Sequence, residues 1–197
     1  MTSETVLKAI EQFKGNRRRF VEFCRSLCAE ELERPVPDST YTVKDFVSHL
    51  GTLDPAMTQQ VDALAAGRIE PMGATGDGET FDIDRFNDGL VAERRDWTLD
   101  AILEEAGRNR EQFLNALTKL TDEQIEQTMH FTGDNKRPAA DIQFRLFLRG
   151  LTRHDPIHVA DMMKALPERA EDPAIKAWIN DTVVRWYQTA MSGPATR

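Results

Sequence analysis

Residues 151 to 163 read LTRHDPIHVADMM, and the reading of this stretch decides the fold. It holds His154 and His158, two of the four histidines in the chain. At i and i+4 they share one helical face, the face of Phe147, Leu151 and Met162. Pro156 stands between them, where a continuous helix would lose a backbone hydrogen bond. Either the helix kinks there and opens a pocket, or one helix ends and another starts.

The same 3.6-residue period runs outward through most of the chain. Val6, Ile10, Phe13, Phe20, Cys24 and Leu27 predict a first helix from about Thr5 to Glu31, broken by the prolines of RPVPD, residues 34 to 38. Thr42 with Asp45 resembles a capping box that opens a second helix carrying Phe46, His49, Leu50, Leu53, Met57, Val61 and Leu64. Gly67 would stop it, and Pro55 lies inside it. GRIEPMGATGDGET, residues 67 to 80, reads as a loop long enough for a crossover. A third helical region spans about Asp82 to Leu117, with a pause at Trp97-Thr98. Thr121 caps a short helix, and a fourth long helix covers about Ala139 to Ala165. A last helix runs from about Pro173 to Thr189. No strand-like alternation of convincing length appears. The expected fold is all-α: a single domain over residues 1–197, built as a four-helix bundle with a long crossover between helices 2 and 3 and a short extra C-terminal helix.

Composition narrows the function. With 25 basic and 33 acidic residues the net charge is -8, which repels phosphate backbones and argues against nucleic acid as a partner. No apolar run is long enough for a transmembrane helix, and the N-terminus lacks the pattern of a secretory signal, so a cytoplasmic protein is expected. Arg17-Arg18-Arg19 reads as the solvated side of a helix. Cys24 and Cys28, four apart on that helix, read as small buried hydrophobes.

His49 shares the inward face of Phe46, Leu53 and Met57. Three histidines from two helices therefore face the core, whereas His130 beside a loop reads as a surface residue. A buried neutral histidine needs partners for both ring nitrogens. Three that converge either find them in the core or share a divalent metal, and three protein ligands leave a position open for water or substrate. Asp45, Asp155 and Asp161 are candidates to orient the histidines or act as bases; Asp45 more simply favours its helix start. Trp97, Trp178, Trp186 and Phe131 are candidates for a pocket mouth but sit at the spacing of core residues.

These residues carry a resemblance. YTVKDFVSHLGTLD, residues 41 to 54, is similar to the second-helix motif of the DinB-like superfamily, and HDPIHVADM, residues 154 to 162, to its fourth-helix His-x-x-x-His motif. Residues 81 to 117 resemble the third-helix region of its mycothiol-dependent maleylpyruvate isomerase branch. The resemblance implies a bundle with a metal near one end, held by His49, His154 and His158. It also implies a low-molecular-weight thiol such as mycothiol or bacillithiol as cofactor. Tyr41 stands where the superfamily commonly has Trp, and His154 where some isomerase-branch members have Glu. No additional domain of the kind those isomerases carry is read beyond about residue 190, which weakens the case for maleylpyruvate itself.

Three functions follow. The first is a metal-dependent thiol transferase or isomerase, with zinc or nickel foremost, acting on a small-molecule substrate. The second is a non-catalytic or hydrolytic small-molecule-binding protein of resistance or stress on the same bundle. The third leaves the histidines as packing residues. A homodimer is compatible with all three.

Overall fold

The computed structural model describes residues 2–75 and 79–191. The chain order is α1 (Glu4–Arg25), α2 (Ala29–Leu32), α3 (Val43–Thr52), α4 (Asp54–Ala65), α5 (Ile83–Ala92), α6 (Leu99–Leu117) and α7 (Asp122–Ile125). A hairpin of β1 (Thr128–Phe131) and β2 (Ala140–Gln143) follows. Then come α8 (Phe144–Leu151), α9 (His154–Met162), α10 (Pro167–Ala170), α11 (Pro173–Ile179) and α12 (Thr182–Met191).

The expected caps are present. Thr42, Thr98 and Thr121 each accept a hydrogen bond from a backbone N–H of their helix's first turn. Gly67, at a φ of 75°, ends α4: its N–H donates to the Leu64 carbonyl and the Arg68 N–H to the Ala63 carbonyl. That pairing satisfies two carbonyls of the last turn, and the left-handed backbone suits glycine. The long crossover runs between α4 and α5. It is pinned midway, where the Met72 N–H donates to the His130 carbonyl and Met72 accepts from the Thr132 N–H. Residues 76–78 of that loop lie outside the described residues.

Several expectations are corrected. The first helix ends at Arg25, and residues to Leu32 form a separate turn of helix capped at Cys28. The last helix is two, α11 and α12. The fourth does not begin at Ala139, because residues 140–143 pair antiparallel with residues 128–131. Met129 and Phe131 point inward from that hairpin, but two inward residues are too few to make an alternation visible in sequence. The fold is therefore mostly helical, with one small two-stranded sheet.

The second and fourth helices are each broken at the proline that puzzled the sequence. Pro55 is the second residue of α4 and Pro156 the third of α9, where a missing N–H removes little. Had the helices run on, the two proline nitrogens would have faced the carbonyls of Gly51 and Thr152. Both carbonyls are taken by asparagines instead: Asn109 Nδ2 donates to Gly51 at 3.1 Å, and Asn16 Nδ2 to Thr152 at 2.7 Å. Between α8 and α9 the chain leaves helical geometry at Arg153, whereas Leu53, the one residue between α3 and α4, keeps it.

Four helical columns, namely α1, α3 with α4, α6, and α8 with α9, pack side by side. They enclose two apolar clusters. One holds Val6, Phe13, Val61, Phe113, Phe144 and Leu148; the other holds Phe20, Val47, Leu50, Ile102, Val159 and Trp178. Each column contributes one buried charged residue between the clusters: Arg17, Asp54, Arg110 and Asp155. Arg17 Nε and Nη2 donate to the two carboxylate oxygens of Asp155 at 3.1 and 2.9 Å. Arg110 Nε donates to Asp54 Oδ2 at 2.7 Å, and its Nη2 lies 3.7 Å from Asp155 Oδ1. Arg17, expected on the solvated side, is thus buried.

The α3–α6 crossing depends on a glycine. A Cβ built on Gly51 would stand 2.8 Å from the Ala106 Cβ and 3.4 Å from its Cα. Gly51→Ala should therefore destabilise the protein by about 1–3 kcal/mol despite alanine's better helix propensity. Urea denaturation of the variant measures it, and unchanged or increased stability would contradict this packing.

Candidate metal centre

His49 sits in the last turn of α3, and its position follows from the start of that helix. Thr42 Oγ1 accepts from the Asp45 N–H at 3.2 Å, and Asp45 Oδ2 accepts from the Thr42 N–H at 2.9 Å. This reciprocal cap fixes where the helix begins, so residue 49 faces α9. Asp45 is a capping residue and not a candidate base. On α9, His154 and His158 project one turn apart toward His49.

The three rings form a compact triangle. Ring centroids lie 5.3 Å apart for His49–His154, 5.0 Å for His49–His158 and 4.7 Å for His154–His158, at interplanar angles of 66°, 86° and 83°. One nitrogen of each ring lies within 4.8 Å of those of the other two. Among the described residues this is the one group of three or more His, Cys, Asp or Glu that converges in this way. The rings meet edge to face rather than stacked.

Two of the aspartates flagged by sequence take different roles. Asp161 Oδ2 lies 3.1 Å from His158 Nδ1, while its Oδ1 accepts from Lys164 Nζ and Gln188 Nε2, both at 3.1 Å. A carboxylate at Nδ1 fixes the ring and leaves Nε2 as the free donor atom of His158. Burial alone would raise the Asp161 carboxyl, but His158, Gln188 and Lys164 together hold it below the ordinary range. Asp155 touches no histidine ring; it pairs with the arginines.

Burial pushes the His49 imidazolium down to about 3, helped by the charge of His158. His154 is likewise pushed well below its ordinary value, first by burial and then by His158, His49, Arg110 and Arg17. Both rings are held neutral, the form in which imidazole binds a metal. His49 Nδ1 is buried and has no hydrogen-bond partner. An unsatisfied buried nitrogen costs about 1–3 kcal/mol, so a ligand that accepted this ring's electrons would relieve a real deficit. The donor set fits a divalent ion: three imidazoles, two of them held neutral by burial and one braced by a carboxylate.

Aromatic rings wall the triangle. Phe46 stands 5.4 Å from His158, Tyr187 6.3 Å from His158 and Tyr41 6.3 Å from His49, centroid to centroid. Burial and a hydrogen bond to Asp88 raise the Tyr41 hydroxyl; burial and the Asp161 charge raise that of Tyr187. Both phenols stay protonated, and the Tyr41 proton is donated to Asp88. Of the aromatics flagged by sequence, Trp178 is buried and donates through Nε1 to Asn16 Oδ1 at 2.9 Å. Trp97 lies beneath Arg94, Phe131 belongs to the core, and Trp186 is exposed. His130 is on the surface, as expected, 2.8 Å from Asp141. Cys24 is buried as expected, but Cys28 is exposed because the first helix ends before it. Tyr187, Gln188 and the Arg17–Arg110 pair were not picked out by sequence reasoning.

The sequence profile of the mycothiol maleylpyruvate isomerase N-terminal domain family matches residues 13–162. The chain belongs to that family. It is accordingly a DinB-like protein, as the helix motifs suggested. The crystal structure of the mycothiol-dependent maleylpyruvate isomerase superposes with a TM-score of 0.60 at 10% sequence identity. That match covers 80% of this chain and 60% of the isomerase chain, so this protein spans about 60% of the isomerase's length. At that identity the likeness shows the shared fold. Comparison with curated proteins gives no significant match. No described helix is long and apolar enough to cross a membrane.

The depressed histidines have a pH consequence for the metal-free protein. Their folded-state values lie below the ordinary 6.5, so the unfolded chain binds more protons once the pH falls below 6.5. Stability is complete above that pH and is lost on acidification toward about 3. Urea denaturation from about pH 7.5 to about pH 5 should show a fall below pH 6.5 of up to about 1.4 kcal/mol per pH unit for each histidine. The fall should be shallower in His49→Gln. A flat profile in the wild type would contradict the burial described.

Proposed function

We propose that the protein is a metal-dependent enzyme of the low-molecular-weight-thiol transferase or isomerase class, with His49, His154 and His158 as the ligands of a divalent ion. The observation that carries this reading is the convergence of three imidazoles, one with a buried nitrogen that has no partner. A bound zinc or nickel ion would hold a thiol cofactor as its thiolate, the nucleophilic form. The chain's own groups do the rest. Asp161 orients His158 through Nδ1, and Gln188 and Lys164 hold Asp161 in turn. Phe46 shields the His158 side of the triangle from water. The protonated phenol of Tyr187, whose ring stands beside His158, is the candidate to donate a hydrogen bond to a small-molecule substrate, while that of Tyr41 is taken by Asp88.

The family membership supports a thiol-dependent reaction, and the isomerase named among the similar structures is one such enzyme. We read residues 1–197 as one domain because α1 and α6 run through both apolar clusters. The substrate class this chemistry supports is an electrophilic small molecule, attacked by the thiolate.

Elemental analysis tests the site. The purified protein, incubated with zinc or nickel and desalted, should carry about one ion per chain, and His158→Ala should carry far less. Absence of metal from the wild type would overturn the reading. Metal without any thiol-dependent consumption of electrophiles, assayed with mycothiol or bacillithiol, would leave a metal-binding protein and remove the enzyme.

A further inference from the structure

We propose that Asn16 and Arg17, consecutive residues of α1, are positioning residues that lock the His49 helix and the His154 helix into ligand geometry. The proposal rests on the metal reading above and extends it to residues that touch no ligand.

Arg17 spans the two helices that carry the histidines. Its Nη2 donates to the Leu50 carbonyl, one residue after His49, at 2.9 Å. The same guanidinium grips both oxygens of Asp155, one residue after His154, at 3.1 and 2.9 Å. One planar fork therefore measures the separation between the His49 backbone and the His154 backbone, and its bidentate geometry leaves little play. Asn16 fixes the same junction from the other side. Its Nδ2 donates to the Thr152 carbonyl that Pro156 leaves without an N–H partner, and its Oδ1 accepts from Trp178 Nε1 at 2.9 Å.

Both anchor points lie at the helix breaks. A break is where two helical segments could swing relative to each other, since no backbone hydrogen bond carries through it. His154 is the first residue of α9 and His49 sits three residues before the end of α3, so such a swing would open the triangle. The buried bonds to α1 block it. Groups that orient metal ligands commonly change affinity by about 10–100-fold when removed.

The test compares Arg17→Lys with Arg94→Lys. Arg94 makes a similar two-point pair with Glu105 and bonds neither ligand-bearing helix, so it reports general loss of an ion pair. Each folded protein is titrated with Co²⁺ alone, reading the d–d absorption, and with Zn²⁺ against a chromophoric chelator; thermal melts of the metal-free forms are run in parallel. Arg17→Lys keeps the charge but loses the fork. It should bind both ions at least about tenfold more weakly, with an altered Co²⁺ spectrum. Arg94→Lys should bind like the wild type even if its melting temperature falls equally.

Wild-type affinity in Arg17→Lys, or equal weakening in both variants, would overturn the proposal. If Arg17→Lys does not fold, Asn16→Ala decides: half-buried Asn16 can be lost without stranding a charge, several-fold weaker binding supports the lock, and wild-type binding overturns it. Failure of the metal reading is a separate result, seen as no binding by the wild type at all.

Discussion

Two arginines and two aspartates, one from each helical column, meet at a single level inside the protein, and the rest of the architecture is arranged around them. Removing a charge from water is expensive, by several kcal/mol per ion even after relaxation. The layer offsets that cost by mutual pairing and by stacking, with the Arg110 guanidinium 4.9 Å from the Phe13 ring and that of Arg17 5.3 Å from Phe20. Pairing of this kind adds little net stability over a well-packed apolar core. What it does add is register. No column can slide or rotate without stranding a buried charge, at a cost of about 3–5 kcal/mol.

The histidine triangle inherits that register. Asp155 is the immediate neighbour of His154, and Asp54 opens the segment that follows the His49 helix. The two helix breaks, the two prolines and the two asparagines that collect the freed carbonyls lie at the same junction. A continuous helix would run past the triangle at a fixed pitch. A broken one lets the segment bearing the histidines take its own direction, which the arginines then fix. The mechanical part of the site is thus separate from its chemical part, and the two meet at adjacent residues.

Much of this was legible in the sequence. The histidines stood out because they are few and because each falls on an apolar helical face, and the threonine caps were readable because their chemistry is local. The charged layer was not seen, although Arg17 lies on the same face as Phe13 and Phe20. A charged residue at a periodic core position was the available signal, masked by Arg18 and Arg19 beside it, which are exposed. Asp54 was hidden in the same way beside Pro55. The hairpin was missed because strand pairing between residues 128–131 and 140–143 is a long-range choice that a four-residue segment does not announce. Exposure of Cys28 follows from a helix end that no glycine or proline marks. At 10% identity to a solved relative, what persists is the order and packing of helices, and the side chains that determine chemistry have to be argued residue by residue.

The central claim is that three histidines from two helices hold one ion and leave a position beside them open. X-ray absorption at the metal edge of the zinc-loaded protein tests it most directly. The expected shell is three imidazole nitrogens at about 2.0–2.1 Å with one or two lighter non-protein atoms, and addition of a thiol should bring in one sulfur at about 2.3 Å. A shell without imidazole scattering, or one already dominated by protein sulfur before any thiol is added, would contradict it.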